Sequence, residues 1–348
     1  MHNILMNKRF YYVVWAALII FAVFFAAACY IYEVTLARTT PFNKSKAELD
    51  CSVFFGASPN TYVFAENLPP SSFMFDEAEP RQVNIKSFDG KNLYGVVYEK
   101  KEKTNKWAIL IHGYKESGAQ MLEIASRFYQ LGCNVLLPDC RGHGLSEGDY
   151  IGMGWHDRLD IIGWTNEILK TNSSADIVLY GISMGGASVL MSTGEILPPN
   201  VKCAISDCSF TSAYDQFNYH SQRIFAAGGA LFAEATSLIC GIKAGYTLKE
   251  ASAIGQVSKS VTPTLFIHGS GDDFVPVEMA YKLYEAASCP KELLIINGAG
   301  HGDSLIRNDK LYWGRISYFI NKYLHRALYH MLKTHIQYHC AFSCPSGK

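Results

Sequence analysis

The chain has 348 residues, enough for one large α/β domain with additional segments, and its 31 basic and 31 acidic side chains cancel. A formal net charge of zero, without a basic tract, excludes an electrostatic argument for nucleic-acid binding. Hydrophobic residues reach 49% of the chain, and an apolar N-terminal segment accounts for part of that share.

That segment, residues 10–32, has no charged side chain and predicts one N-terminal transmembrane helix. At 1.5 Å per residue it is long enough to cross a hydrocarbon core about 30 Å thick. Aromatic residues stand at both of its ends, as they do at membrane interfaces. We therefore expect residues 1–9 to form a short tail and residues 10–32 to form a retained signal anchor. The alternative is lipoprotein cleavage before Cys29. The three alanines that precede Cys29 match such a cleavage site loosely, but the usual leucine is absent.

Basic residues occur on both sides of this segment. Lys8 and Arg9 precede it, whereas Arg38, Lys44 and Lys46 follow it. A very short N-terminal tail usually stays in the cytoplasm, so we expect the main domain to be extracytoplasmic.

Residues 33–80 predict a linker or pre-domain segment, residues 81–325 the main domain, and residues 326–348 a C-terminal tail. The main domain opens with an alternating hairpin and continues with short apolar strands separated by helical stretches. Strands buried on both faces are apolar throughout, and a repeat of strand and helix builds a parallel sheet. We expect an α/β fold with eight strands, mostly parallel, and helices on both faces. The long interval at about 209–260 holds an apolar helix and predicts a small lid.

The segment Gly181–Gly186 carries the strongest functional signal. It joins an apolar run that predicts a strand to one that predicts a helix, and Ser183 has a glycine two residues away on either side. A serine on such a steep turn is typical of a nucleophile elbow. A Cβ at Gly181 or Gly185 is expected to clash with the helix or with the neighbouring strand.

A serine hydroxyl needs a base to accept its proton, and the base needs an orienting carboxylate. Asp272 and His301 each follow a predicted strand, and the order serine, acid, histidine is the one expected for this sheet type. Because active sites of parallel sheets lie at the carboxyl ends of the strands, we expect these two residues and Ser183 to form a triad. Asp273 and Asp207 are the alternative acids, and Asp207 is expected to be a structural hydrogen-bond acceptor.

A tetrahedral intermediate also requires backbone N–H donors that already point at its oxygen. Met184, the residue after the serine, is expected to supply one N–H from a helix N-terminus. Tyr114, in the loop after an earlier strand, is expected to supply the other.

His112 and His143 lie in glycine-flanked loops, and no third ligand has a suitable spacing, so no metal is expected. Asp139 and Arg141 are expected to form a buried pair that holds their loop. The cysteines in apolar runs predict buried thiols and not disulfides.

Five motifs in order resemble those of one family. They are His112–Tyr114, Asp139–Ser146, Gly181–Gly186, His268–Pro276 and Gly300–His301. Over about residues 80–325 the chain resembles α/β-hydrolase fold serine hydrolases. It is similar to membrane-anchored bacterial members related to monoacylglycerol lipases and to serine aminopeptidase-like hydrolases. The resemblance implies Ser183, Asp272 and His301 as the triad, and Tyr114 and Met184 as the oxyanion donors.

We therefore expect a membrane-anchored serine hydrolase that needs no cofactor and binds no nucleic acid. Its substrate is expected to be a carboxylic ester, because no separate peptide-binding domain exists. An apolar lid near a bilayer favours acyl or lipid esters. A peptidase or amidase on the same fold is the first alternative. A non-catalytic binding protein is less favoured, since such proteins commonly lose the serine or the histidine and this chain keeps both.

Overall fold

The computed structural model describes residues 2–38, 75 and 78–324. The predicted C-terminal tail and most of the predicted linker lie outside these residues. The domain boundaries proposed for them therefore stay predictions.

One eight-stranded sheet forms the centre of the molecule. In chain order its strands are β1 (Arg81–Lys86), β2 (Asn92–Tyr98), β3 (Lys106–Ile111), β4 (Asn134–Pro138), β5 (Asp176–Ile182), β6 (Val201–Asp207), β7 (Thr264–Gly269) and β8 (Lys291–Ile296). Their spatial order is β1-β2-β4-β3-β5-β6-β7-β8. β1 with β2, and β2 with β4, pair antiparallel, and every other neighbouring pair is parallel. The predicted eight-stranded, mostly parallel sheet is confirmed.

The central strands are apolar throughout because both of their faces are covered. In β5, Leu179 packs in the apolar cluster on one side of the sheet, whereas Val178 and Tyr180 pack in the cluster on the other side. A strand in that position alternates its side chains between two cores and has no solvent-facing side. This burial explains the short apolar runs in the sequence.

Helices cover both faces, as predicted. They are α1 (His2–Thr35), α2 (Leu122–Gln130), α3 (Asp157–Thr171), α4 (Met184–Thr193), α5 (Ala213–Phe225), α6 (Gly229–Ala244), α7 (Ala253–Val257), α8 (Val277–Ala286), α9 (Ser304–Arg307) and α10 (Asp309–Leu324). Side chains of α2 and α10 pack in one core cluster, whereas those of α3, α4 and α8 pack in the other.

The lid contains two main helices, of which the sequence indicated only α6. α5 was missed because its buried face carries Gln216, His220 and Ser221 beside Phe217, so the apolar periodicity is broken. These polar side chains are buried by contacts made elsewhere in the fold. A pattern that looks for an apolar stripe does not detect such a helix.

α1 is longer than the predicted span and ends inside the main domain. Most side chains of residues 10–27 are exposed, whereas Ala28, Ile31 and Leu36 lie in the same apolar cluster as α3 and α4. The helix thus continues without a break into residues that were expected to begin a linker. Its exposed part is one of two helical stretches long and apolar enough to cross a membrane among the described residues, and the other comprises α5 and α6.

The expected pair between Asp139 and Arg141 is wrong. Arg141 makes a bidentate contact with Asp160, at 2.7 and 2.8 Å, and a further contact with Asp89 at 3.2 Å. Asp139 instead accepts the backbone N–H groups of Gly118 and Leu145. Both residues hold their loop, but each does so through a separate set of partners.

The cysteines of the described residues are free thiols, and most of them are buried. This agrees with the prediction of buried thiols for Cys133, Cys140, Cys203 and Cys208, each of which is fully or almost fully enclosed. Cys340 and Cys344 lie outside the described residues.

Candidate active site

Ser183 occupies a strained turn between β5 and α4. Its backbone φ is +53° and its ψ is −117°, a conformation that non-glycine residues adopt rarely. A Cβ at Gly181 would collide with the carbonyl of Gly185, and one at Gly185 would collide with the carbonyl of Ile111 in β3. The expectation that both positions exclude a side chain is confirmed, since one clash falls on the helix and the other on the neighbouring strand.

The structure brings Ser183, Asp272 and His301 together. The Ser183 Oγ lies 2.9 Å from His301 Nε2, and His301 Nδ1 lies 2.8 Å from Asp272 Oδ2. The three residues follow β5, β7 and β8 at the carboxyl edge of the sheet. Asp272 and His301 are both buried, which strengthens the electrostatic interaction between them.

The Asp272 carboxylate is surrounded by donors. Its Oδ1 accepts the backbone N–H groups of Phe274 and Val275, and its Oδ2 lies 3.2 Å from Nε2 of a second histidine, His268. Burial raises the pKa of Asp272, but hydrogen bonds from His268 and His301 outweigh it and hold the pKa well below its usual range. Asp272 is therefore ionised at neutral pH. An ionised acceptor at Nδ1 requires an N–H there, so the Nε2 of neutral His301 can accept the Ser183 hydroxyl proton.

The alternative acids have other partners. Asp207 accepts the hydroxyl of Tyr312 at 2.7 Å, and Tyr312 is in turn 2.7 Å from the hydroxyl of Tyr180. Burial raises the pKa of Asp207 to about 6, although the Tyr312 hydrogen bond lowers it. Asp273 is exposed at the surface. Of the three aspartates, Asp272 is the one hydrogen-bonded to His301.

Both predicted oxyanion donors lie beside Ser183. Tyr114 and Met184 line the same small cavity as the serine, together with the apolar side chains of Met153, Phe210 and Phe274 and with Gln216. The cavity has a volume of about 20 Å³, room for about one water molecule. A larger cavity of about 700 Å³ lies at the opposite edge of the sheet, where β5 and β6 begin, and is far from this chemistry.

Hydrogen bonds hold the loop that carries Tyr114 at the residues before and after it. The backbone N–H of Gly113 donates to Glu116 Oε2 at 2.8 Å, and that of Lys115 donates to His143 Nε2 at 3.1 Å. His112 Nε2 accepts the backbone N–H of Cys140 at 2.9 Å. The two loop histidines thus serve as hydrogen-bond acceptors for the backbone.

Glu116 is a titratable group at this site that sequence reasoning missed. Burial raises its pKa to about 7, against the lowering effects of the Gly113 N–H and of nearby His301. An acid two residues after the expected oxyanion donor was the available signal. A charged residue in a loop is usually solvated, so the sequence alone does not distinguish Glu116 from a surface acid.

Two lid contacts were also not predicted. Gln216 Nε2 donates to the carbonyl of Phe274 at 2.8 Å, and the Tyr219 hydroxyl donates to the carbonyl of Asp273 at 3.0 Å. The Phe274 ring packs against His301 with the ring centroids 4.7 Å apart. α5 of the lid is therefore attached to the loop that supplies the Asp272 carboxylate.

One group of side chains in the described part of the chain has a metal-like spacing. The ligand atoms of Cys208, Asp272 and His301 lie within 4.8 Å of one another. Burial, with the charges of Asp207 and Asp272, raises the pKa of the Cys208 thiol well above its usual value, so it stays protonated. Asp272 and His301 are already hydrogen-bonded to each other at 2.8 Å, which accounts for the close spacing of this group.

The chain is similar in sequence or in fold to several known proteins. Residues 102–225 match the family described as Hydrolase_4, serine aminopeptidase S33. The uncharacterized protein YqkD of Bacillus subtilis is 28% identical over 218 residues, which cover 61% of this chain and 70% of YqkD. A monoglyceride lipase homolog of monkeypox virus is 26% identical over 221 residues, 55% of this chain and 79% of its own length. An esterase of Pyrococcus furiosus has a similar fold, with a TM-score of 0.60 at 21% identity, over 74% of this chain and 95% of the esterase.

The raised pKa of Glu116 predicts a pH-dependent stability. The folded protein retains a proton that the unfolded chain releases above pH 4.5, so the free energy of unfolding falls as pH rises from about 4.5 to about 7. The glutamine of Glu116→Gln does not titrate, so this variant lacks that pH-dependent loss of stability. The stability of the variant relative to wild type is therefore expected to increase across that window, as measured by urea unfolding in detergent.

The matched control is Glu147→Gln. Hydrogen bonds from Asn92 lower the pKa of Glu147, so its contribution changes below this window. Parallel stability curves for wild type and Glu116→Gln between pH 4.5 and 7 would contradict the prediction.

Proposed function

We propose that this chain, a member of the α/β-hydrolase group, cleaves carboxylic esters through an acyl-enzyme formed on Ser183. The observation that carries the proposal is the continuous set of hydrogen bonds from Ser183 through His301 to Asp272, at 2.9 and 2.8 Å. Three separate strand ends supply these residues. Hydroxyl, imidazole and carboxylate in that order are the groups that nucleophilic acyl transfer requires.

The first half of the reaction forms the acyl-enzyme. The Ser183 oxygen bonds to the ester carbonyl carbon as its proton passes to His301 Nε2. The carbonyl oxygen gains negative charge, which the N–H groups of Tyr114 and Met184 stabilise. His301 then donates the proton to the alcohol oxygen, and the carbon–oxygen bond to the leaving alcohol breaks.

The second half regenerates the serine. A water molecule gives a proton to His301 and attacks the acyl carbon, and the acid leaves as the proton returns to Ser183. Asp272 acts in both halves, because it fixes the imidazole tautomer and stabilises the imidazolium. Its low pKa supports this role, since it keeps the carboxylate charged over the pH range of the reaction.

An amide can undergo the same steps, so a peptidase or amidase is the second candidate. The match to a family described as serine aminopeptidase favours that candidate. The relatives named as an esterase and a monoglyceride lipase homolog favour an ester. A non-catalytic binding role is the least supported, because all three side chains are present and hydrogen-bonded to one another.

The surroundings of Ser183 support an acyl or lipid ester. The cavity is lined by apolar side chains, and the lid above it contacts the apolar N-terminal helix, where the rings of Phe24 and Phe232 lie 4.8 Å apart. Phe232 of the lid therefore packs against a residue of the predicted membrane span. Since the cavity holds about one water, an acyl chain requires α5, whose Gln216 lines the cavity, to move aside.

The N-terminal helix is proposed to be a membrane anchor with the hydrolase domain on the extracytoplasmic side. The burial of Ala28 within the domain core supports a retained helix over cleavage before Cys29.

The serine mechanism predicts covalent labelling by a fluorophosphonate probe. Wild type is expected to be labelled, and Ser183→Ala is expected to show only background, since the attacking oxygen is gone. Asp272→Asn keeps the Ser183 oxygen. Its kcat is expected to fall on the order of 10⁴-fold, because the imidazole of His301 then takes the wrong tautomer.

Ser192→Ala is the matched control for labelling. Ser192 lies on the same helix, α4, with its hydroxyl bonded to the carbonyl of Val189. It should label as wild type does. Equal labelling of wild type and Ser183→Ala, or none of the folded wild type, would refute the acyl-enzyme.

Ester specificity predicts that kcat/KM rises with acyl length across a series of p-nitrophenyl esters and extends to monoacylglycerols. Apolar surface of the acyl chain, buried against the cavity and lid, provides the gain at about 25 cal/mol per Å². Ser183→Ala gives the blank. Hydrolysis confined to short esters would argue against a lipid substrate, and faster release of amines from aminoacyl amides would favour the peptidase.

The proposed orientation is tested with a thiol introduced at an exposed position and compared with wild type. Ile196 is 96% exposed on the main domain, so Ile196→Cys is expected to react with a membrane-impermeant maleimide in intact spheroplasts. Wild-type protein gives the background, and lysed spheroplasts give full labelling. Labelling that appears only after lysis would place the domain in the cytoplasm.

A further inference from the structure

The C-terminal end of α1 is enclosed by the hydrolase domain. Val34, Thr35 and Leu36 are all buried, and the last two have no exposed surface. The last four carbonyl groups of a helix have no N–H donor within the helix. A helix end that is buried therefore needs hydrogen-bond donors from other parts of the chain. Buried carbonyls without partners cost free energy.

The loop that carries Tyr114 supplies two of these partners. The Tyr114 hydroxyl donates to the carbonyl of Thr35, and Lys115 Nζ donates to the carbonyl of Val34 at 3.0 Å. A lysine is favoured there, because the C-terminus of a helix carries partial negative charge. The proposed oxyanion loop therefore caps the N-terminal helix.

The chain after the helix is attached to the other wall of the site. Leu36 accepts the backbone N–H of Ile151 at 2.7 Å, and Arg38 donates to the carbonyl of Asp149 at 2.9 Å. Ile151 in turn accepts the hydroxyl of Tyr246, which follows the lid helix α6. Two residues later, Met153 lines the cavity beside Ser183. The end of α1 is thus fixed between two segments that border the serine.

We propose that the last turn of α1 is a positioning element for the oxyanion loop. The proposal rests on the proposed function. The Tyr114 phenol ring is rigid, so a hydrogen bond at its hydroxyl restrains the backbone that carries the N–H donor. Tyr114 also lines the cavity beside Ser183. Thr35 acts through its carbonyl on Tyr114 and does not touch the reacting atoms.

The expected effect is on the transition state and not on substrate binding. A displacement of about 1 Å in a catalytic group can cost about 100-fold in rate. An N–H donor that is loosely held stabilises the oxyanion less but contacts the ground-state ester little. Loss of the contact should therefore lower kcat and leave KM nearly unchanged.

The test uses the full chain in detergent or vesicles, with Tyr114→Phe. This variant removes the hydroxyl that donates to Thr35 and keeps the backbone N–H. We expect kcat to fall about 10- to 100-fold with KM within about two-fold. The affinity for a trifluoromethyl ketone, which mimics the tetrahedral intermediate once Ser183 adds to it, should fall by the same factor as kcat/KM.

Lys243→Met is the matched control. It breaks the ion pair with Glu33 on the same end of α1 but leaves the loop contacts in place. Its kcat and ketone affinity should equal those of wild type. Lys115→Met removes the second loop contact and should shift both quantities in the same direction as Tyr114→Phe. It provides the test if the latter fails to fold.

The outcomes separate the two proposals. An active wild type with unchanged kcat in Tyr114→Phe, or a lower kcat with unchanged ketone affinity, would overturn the positioning role and leave the hydrolase intact. An inactive, unlabelled wild type would overturn the proposed function itself. Parallel losses of kcat/KM and ketone affinity, absent in Lys243→Met, would support the positioning role.

Discussion

The Ser183 hydroxyl reaches His301 only because the backbone turns steeply at the end of β5. A non-glycine residue at a φ of +53° costs on the order of 1–3 kcal/mol and persists only where its surroundings hold it. Those surroundings are the neighbouring strands. Gly185 packs against the end of β3, and the Ser183 N–H donates to the Asp207 carbonyl at the end of β6 at 2.8 Å. The order β3-β5-β6 within the sheet is therefore a condition for the site.

The carboxylates near the serine have different electrostatic environments. Asp272 has two histidines and two backbone N–H groups, and its pKa is low. Asp207 and Glu116 have fewer donors, and burial dominates the pKa of both. Neighbouring acids whose pKa values differ in this way can have different roles in one active site. Of these three acids, the one with the lowered pKa is the one beside the imidazole, where the proposed mechanism develops positive charge.

The N-terminal helix and the hydrolase domain share one apolar core. A tether that ends in a free linker would leave the domain free to rotate above a membrane. Here Ala28, Ile31 and Leu36 pack in the same apolar cluster as side chains of α3, α4 and α8. The arrangement fixes which face of the domain lies nearest the apolar helix, and that face carries the lid.

The sequence by itself determined the strand and helix order, the eight-stranded sheet, the glycines of the turn and the apolar N-terminal helix. These features depend on local periodicity and on backbone geometry, which neighbouring residues encode. It also identified the residues that the structure brings together at Ser183. Only the tertiary structure decided that Arg141 pairs with Asp160, and that Glu116 is half-buried and accepts the backbone N–H of Gly113. It alone revealed α5 and the contact of Thr35 with Tyr114. Those results depend on residues far apart in the chain, whose meeting is set by strand order and loop packing, and no local pattern records them.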